Sequence, residues 1–309
     1  MTDQDRDRIV EVDQLPREIE PSHDLWPEID RRIGDSPRRP QRWWLLAASL
    51  LIAALALGVW VWRSPRSGRI DDAGWTASLG NKTQPFALGD VIETAAGETA
   101  VVGLSDFGRI NVRPGSYLRR EKGVNLEHRF TLERGEIEAS IDAPPRLFVV
   151  QTPATTAIDL GCHYTMQVQT NGDTLLHVLS GRVSLSSPLG EIEVPAGAIC
   201  RARRGAAIGI PYYADAPEAL RSALRMIEDG DVSSEAAQRL IAAAREQDIG
   251  SLVHSLRRFD ISEREILVRE VMRHPSTPEG LDARALVELN DAAIARATNA
   301  LMTSRGLPP

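Results

Sequence analysis

An uncharged run near the N-terminus constrains this chain more than any other feature. Residues 43–62 contain no charged side chain, and a helix of that length, at about 1.5 Å per residue, spans roughly 30 Å, the hydrocarbon thickness of a bilayer. Trp43 and Trp44 begin the run, and Trp60 and Trp62 end it, as expected for aromatic residues at the two membrane interfaces. A surface helix of a soluble protein would need a polar face, and a cleaved signal peptide would be followed by small residues. We therefore predict a transmembrane helix over 43–62 that contacts the lipid bilayer.

Basic residues on the two sides of this run predict its orientation. Five arginines lie just before it and three just after it: Arg31, Arg32, Arg38, Arg39 and Arg42 before, and Arg63, Arg66 and Arg69 after. The excess favours an N-terminus in the cytoplasm and a C-terminal bulk outside it. The formal net charge of −7 argues against direct binding of nucleic acid, which requires a basic face.

The segment before the run, residues 1–42, carries one apolar stripe. Within SHDLWPEIDRRIG, helical spacing aligns Leu25, Trp26, Ile29 and Ile33. A helix this short is marginal alone in water, so its apolar side needs a partner. The pattern fits two interpretations equally well: contact with another protein or the membrane surface, or packing back onto the rest of the segment.

After a linker over 63–83, the pattern changes to period two between residues 84 and 211. Short alternating runs such as TAVVGL and RLFVVQT are separated by the turn-forming stretches SDFG, EKGVN, DAPP, NGD and SPLG. The clearest hairpin joins YTMQVQT to TLLHVL through NGD. Frequent short strands with no helical pattern between them predict an all-β domain, either an antiparallel sandwich or a short β-helical roll.

A helical period follows over residues 212–309. Five candidate helices are PEALRSALRMIE, SEAAQRLIAAAREQ, IGSLVHSLRRF, SEREILVREVMRH and DAAIARATNALMTS, with Ser262 and Glu265 matching a capping box before the fourth. The predicted fold class is therefore a multidomain membrane protein. It comprises a cytoplasmic segment (1–42), a single transmembrane helix (43–62), a linker (63–83), an extracytoplasmic all-β domain (84–211) and an all-α C-terminal domain (212–309).

Motifs that carry catalytic chemistry are missing from the sequence. Cys162 and His163 are adjacent in LGCHYTM, but neighbouring residues of a strand point to opposite faces, so this thiol and imidazole would not meet. The sequence contains no nucleophile elbow, phosphate-binding loop or dinucleotide fingerprint, and its six histidines are scattered. We predict no enzyme activity, no metal site and no cofactor.

The two cysteines, Cys162 and Cys200, both follow the uncharged run. A disulfide between them would close a loop of 38 residues and would stabilise the fold by about 4 kcal/mol on the chain-entropy model. The alternative is two buried free thiols that pack as small apolar side chains. The predicted oxidising compartment favours the disulfide as a hypothesis.

Four stretches of the β region resemble the FecR family in order and spacing. They are RFTLERGEIEAS, LFVVQTPATTAIDLGCHYTMQV, LLHVLSGRVSL and EIEVPAGAICRARRG. In the same order, the family pattern has a glycine-marked strand, a Phe-x-Val-x-Thr-Pro strand followed by a Gly-Thr-x-Phe step, a Val-x-x-Gly-x-Val turn and a Pro-Ala-Gly strand. The resemblance covers about residues 95–211. The chain departs from the pattern at Cys162, where threonine is usual, and at the aromatic position, which is Tyr164. These departures suggest a variant subgroup with its own crosslink and a helical C-terminal region.

This resemblance implies a single-pass regulator of the bacterial inner membrane with anti-sigma-factor character. FecR-like proteins control extracytoplasmic-function sigma factors: the cytoplasmic segment binds the sigma factor, and the outer domain receives a signal from an envelope protein or outer-membrane receptor. On that basis Leu25, Trp26, Ile29 and Ile33 are the expected partner-binding residues. The alternative is a membrane-anchored envelope binding or scaffold protein without a sigma-factor partner.

Overall fold

The computed structural model describes residues 74–122 and 127–303, with side chains to residue 300. The chain divides into two compact units, residues 1–69 and 70–309, and all described residues belong to the second. The predicted transmembrane run, its four tryptophans and the apolar stripe of the first segment lie outside the described residues. No helix within the described ranges is long and apolar enough to cross a membrane.

The described part begins with a β-region that contains fifteen strands. They are β1 (Thr76–Leu79), β2 (Lys82–Pro85), β3 (Val91–Glu93), β4 (Ala100–Gly103), β5 (Gly108–Val112), β6 (Tyr117–Glu121), β7 (His128–Ile141), β8 (Phe148–Gln151), β9 (Thr156–Asp159), β10 (His163–Val168), β11 (Thr174–Ser180), β12 (Arg182–Ser187), β13 (Gly190–Pro195), β14 (Ala198–Ala202) and β15 (Tyr212–Tyr213). Their longest path runs in the order β13-β12-β9-β8-β7-β10-β11-β14-β15, while β1, β2, β4 and β5 form one branch and β3 and β6 another.

Six α-helices follow the strands. They are α1 (Glu218–Glu228), α2 (Ser234–Ala243), α3 (Ile249–Ser255), α4 (Ile261–Arg273), α5 (Ala283–Val287) and α6 (Asp291–Thr303). Short 3-10 turns precede α3 at Glu246–Asp248 and follow it at Leu256–Arg258. Leu220, Leu224 and Ile227 of α1 are buried, as expected for one apolar face of an amphipathic helix.

Strand β7 organises the sheet because it pairs with four other strands. Its first half pairs with β6 and β8, and its second half pairs with β5 and β10. The buried residues are His128, Phe130 and Leu132 before Gly135, and Ile137, Ala139 and Ile141 after it, so the buried side changes from even to odd positions. A one-residue shift in pairing moves a strand's apolar set to its other face, and the register with β6 shifts at Tyr117/Leu118, which marks a β-bulge.

The predicted fold class is wrong for the part of the chain that the structure describes: it forms one large mixed sheet followed by helices, and none of its helices could cross a membrane. Strand β8 runs parallel to the first half of β7 and antiparallel to β9, so the sheet is mixed. Neither the antiparallel sandwich nor the short β-helical roll that the sequence predicts describes it. Parallel strands need a long crossover connection. Here the second half of β7 and residues 142–147 provide it, and no turn signal in the sequence reveals that arrangement.

Several local predictions are confirmed, and others are not. The hairpin of β10 and β11 forms across the NGD turn, and five helices lie where the helical pattern placed them. Strand β1 lies within the segment 63–83, where the composition indicated a linker, and β2 begins there. Helix α4 begins at Ile261, with Asp260 as N-cap and no side-chain capping bond, so the capping box predicted for Ser262 and Glu265 is wrong.

We predict that Gly135→Ala destabilises the fold far more than Gly97→Ala. Both glycines have positive φ, +85° and +83°, so each alanine carries the cost of about 1–2 kcal/mol for a left-handed residue. An added Cβ at Gly135 would lie 2.4 Å from the Cα of Ser116, while at Gly97 it would meet nothing within 4 Å. We expect an extra loss of roughly 1–3 kcal/mol for Gly135→Ala, measured by urea unfolding. Equal losses in the two variants would contradict the close approach.

Candidate functional site

Two parts of the described structure concentrate buried polar groups, and neither contains the partner-binding residues predicted from the sequence. Leu25, Trp26, Ile29 and Ile33 lie outside the described residues. The first part is the turn between β9 and β10, which holds Cys162. The second is the junction between the last strands and the helices.

Asp159 holds the turn between β9 and β10 together. Its side chain is buried, and its Oδ1 accepts the backbone N–H of Gly161 at 2.7 Å. Its Oδ2 accepts the Sγ–H of Cys162 at 2.6 Å. Burial raises the pKa of Asp159 to about 6, although both hydrogen bonds favour the carboxylate. The sequence contains no spacing that would have singled out this carboxyl group.

Cys162 is therefore an unreactive thiol. Burial raises its pKa well above the usual range, and the neighbouring Asp159 raises it further. Because the thiolate is the nucleophilic and metal-binding form, a thiol with a raised pKa is poor at both roles. Within the described ranges, no group of three or more histidine, cysteine, aspartate or glutamate side chains could hold a metal ion.

His163 points to the other face of β10, as strand alternation predicts. Its Nε2 lies 3.0 Å from Oε1 of Glu138, and the same carboxylate pairs with Arg113 at 2.6 Å. The hydrogen bond from His163 is the largest cause of the lowered pKa of Glu138. Cys162 and His163 thus contact different carboxylates, and they do not form a nucleophile–base pair.

The predicted disulfide is not formed, since Cys162 and Cys200 are both free and buried. Cys200 lies on β14, opposite Leu176 of β11, while Cys162 precedes β10 on the other side of β11. Two strand spacings of about 4.8 Å separate β10 from β14, and this exceeds the roughly 7 Å limit between bridged Cα atoms. The Sγ–H of Cys200 instead donates to the carbonyl of Gly209 at 3.4 Å. Cysteine spacing in the sequence could not reveal the intervening strand.

The second polar concentration joins residues 203–215 to the helices. Four contacts cross this junction: Arg203 to Asp229 at 2.5 Å, the Ile210 N–H to Glu228 Oε1 at 2.7 Å, the Ser251 hydroxyl to the Pro211 carbonyl at 2.7 Å, and Arg258 to the Ile208 carbonyl at 2.5 Å. Burial raises the pKa of Glu228, partly offset by its hydrogen bond from Ile210. Three of these contacts attach the helices to main-chain groups of residues 208–211, and the fourth joins two side chains.

Arg245 pairs with two carboxylates at the junction. Its guanidinium bonds Asp248 at 2.7 Å and Asp215 at 3.1 Å. The Asp248 side chain is fully buried, so it needs a charged partner to offset its desolvation. Both carboxylates raise the pKa of Arg245, and the hydrogen bond that Arg245 donates to Asp248 is the largest cause. This contact ties the segment after β15 to the turn before α3.

Comparison with known proteins identifies the β region. Residues 90–184 match the family model described as FecR protein, which confirms the resemblance seen in the sequence. A comparison with curated proteins gave no match.

Two solved structures are similar to part of the chain. Both are crystal structures of a protein from Parabacteroides distasonis ATCC 8503 that is provisionally described as an anti-sigma factor. The TM-scores are 0.37 and 0.36, at 19% and 18% identity. The aligned regions cover 44% and 43% of this chain, and 64% and 63% of those chains. This chain therefore covers less than two thirds of their length.

We predict that Asp159→Asn changes the pH dependence of stability. The folded-state pKa of about 6 lies above the ordinary value of 3.8, so the stability from the protonated carboxyl is fully present below pH 3.8 and is lost as pH rises through 6. The shift of about two units corresponds to roughly 3 kcal/mol. The free energy of unfolding, measured in urea, should therefore fall between pH 4 and pH 7.5, and it should fall more for the native chain than for the variant. Parallel pH profiles would contradict the raised pKa.

We also predict two reactive thiols after unfolding and none before. Cys162 is 5% exposed and Cys200 is fully buried, so a maleimide should label neither in the native chain. The denatured chain, without reductant, should take two labels by mass spectrometry, and Cys200→Ser should take one. Labelling that requires prior reduction would establish a disulfide instead.

Proposed function

We propose that this chain is a FecR-like regulator that controls an extracytoplasmic-function sigma factor in response to an envelope signal. The observation that carries the proposal is the FecR match over residues 90–184. That match covers β3 to β11 and the start of β12, the part of the sheet that surrounds β7. It supports a regulatory rather than a catalytic role.

The chemistry of the described residues is consistent with that role. The thiol of Cys162 is held protonated by burial, and His163 is occupied by Glu138. A regulator works by changing its contacts with partner proteins. Such contacts require a binding surface and do not require an activated nucleophile. We therefore assign the functional contacts of this chain to binding of other proteins.

The sigma-factor contact in this proposal is the apolar stripe of Leu25, Trp26, Ile29 and Ile33. Burial of each such side chain contributes about 1.5–3 kcal/mol at best, and ordering a short helix reduces the net affinity. The stripe would then give modest affinity unless the sigma factor supplies further contacts. Modest affinity suits a complex that a signal must dissociate.

The location that we infer is the bacterial inner membrane, with the N-terminus in the cytoplasm. It is supported by the uncharged run 43–62 and by the arginine excess before it. The described unit would then lie outside the cytoplasm, where an envelope protein could reach it. Transfer of the signal requires that binding there change the affinity of residues 1–42 for the sigma factor.

We predict that Trp26→Ala in the full chain abolishes co-purification of a sigma factor from cells of the native organism. Tryptophan is the residue type that most often dominates a protein interface, and its truncation should reduce recovery at least about tenfold. Bound proteins would be identified by mass spectrometry. Glu28→Ala, two positions along the same segment and off the stripe, is the matched control and should leave recovery unchanged.

Two results would count against the proposal. Recovery of the same sigma factor with Trp26→Ala would exclude the stripe as the contact. Recovery of no sigma factor by the native chain, together with unchanged transcription after deletion of residues 1–36, would favour a scaffold function in the envelope.

A further inference from the structure

A cavity of about 270 Å³ lies between the β12–β13 hairpin and helices α3 and α6, and we refer to it as the hairpin–helix cavity. Ile192 of β13 and Ile294 and Ala295 of α6 provide an apolar lining, and His254 of α3 and Thr298 of α6 provide polar groups. A second cavity of about 140 Å³ shares Ile192 and His254 with it. The volume of the hairpin–helix cavity lies just below the usual range for small-molecule sites, roughly 300–1,000 Å³.

Thr298 presents an unsatisfied hydroxyl to this cavity. The residue is 7% exposed, and its Oγ1 has no hydrogen-bond partner among the described residues. A threonine in a helix commonly bonds the carbonyl one turn before it, but Thr298 does not. Buried hydroxyl groups in proteins are normally paired, so this atom is available for a hydrogen bond to a molecule in the cavity.

His254 is a second polar group with no partner in the described part of the chain. Its imidazole makes no hydrogen bond or ion pair there, and it lines both neighbouring cavities. Burial, and then the Arg257 guanidinium, lower the pKa of His254 to about 4. The ring is therefore neutral at pH 7, with one N–H donor and one acceptor nitrogen.

The charged groups around the cavity disfavour an anionic ligand. The two arginines that line it are each paired with a carboxylate: Arg257 with Asp291, and Arg182 with Glu193 at 3.5 Å. Glu191 also lines the cavity and is paired at 3.5 Å with Arg146, which is not part of the lining, so the three carboxylates of the lining outnumber its two guanidinium groups. An anion would meet no unpaired cation, whereas a neutral ligand would leave these ion pairs intact.

We propose that the hairpin–helix cavity binds a neutral small molecule with an apolar body and one hydroxyl or amide group. The apolar body packs against Ile192, Ile294 and Ala295. The polar group exchanges hydrogen bonds with the Thr298 hydroxyl and the His254 imidazole. The proposal is independent of the proposed function, because binding is measured without a sigma factor or an envelope protein.

The test is a titration of the full chain, labelled at isoleucine methyl groups, with three compounds that share a methyl-substituted benzene ring. They are p-cresol, which has the apolar ring and a hydroxyl; toluene, which lacks the hydroxyl; and 4-methylbenzoate, which is anionic. We expect p-cresol to shift the methyl signals of Ile192 and Ile294 saturably and to leave that of Ile137, in the sheet core, unchanged. We expect toluene and 4-methylbenzoate to bind at least about tenfold more weakly.

Two substitutions separate a polar contact from simple partitioning. Thr298→Val keeps the shape and removes the hydroxyl, so p-cresol should bind about tenfold more weakly while toluene binds as before. Thr298→Ser keeps the hydroxyl and should restore p-cresol binding. The absence of saturable shifts with p-cresol, or an unchanged dissociation constant in Thr298→Val, would overturn the proposal.

Discussion

The change of buried face along β7 is the constraint on which the rest of the sheet depends. A straight strand of 14 residues would be about 46 Å long, yet seven residues, 142–148, return the chain to a position beside His128. Seven residues reach at most about 25 Å, so β7 must bend. Gly135 permits the bend, because its φ is +85° and Ser116 occupies the space where a Cβ would lie. The Ser116 hydroxyl accepts the Glu136 N–H at 2.8 Å and replaces a ladder bond at this point.

The helices are held at the far end of the sheet. There the segment between β14 and β15 presents residues 208–211 to α1, to α3 and to the turn after α3. Main-chain groups there have no further strand to pair with, and unpaired buried groups are costly. Glu228, Ser251 and Arg258 satisfy them. The helices therefore complete the hydrogen bonding of the sheet, and the strands and helices form one compact unit.

Local structure was predictable from the sequence where it depends on periodicity. The β10–β11 hairpin follows from alternation around NGD, and α1 follows from its apolar spacing, because neighbours in sequence decide both. The parallel pairing of β7 with β8 was not predictable, since it depends on a bend in three dimensions. The separation of Cys162 from Cys200 was missed for the same reason: it depends on β11 lying between them. Thr298 and His254 carry no motif, and only their packing against Ile192 makes them a site.

The residues proposed to contact the ligand in the hairpin–helix cavity lie outside the region that matches the FecR family model. That match ends at residue 184, while Ile192, His254, Ile294 and Thr298 all follow it. A molecule held there contacts β13 and two helices at once, so its binding free energy depends on how the hairpin packs against α3 and α6. Any change in that packing must alter the affinity for the ligand, and by linkage the ligand must alter the packing equally. The helical region thus provides a means of coupling a small molecule to the sheet, whether or not the sheet itself contacts an envelope partner.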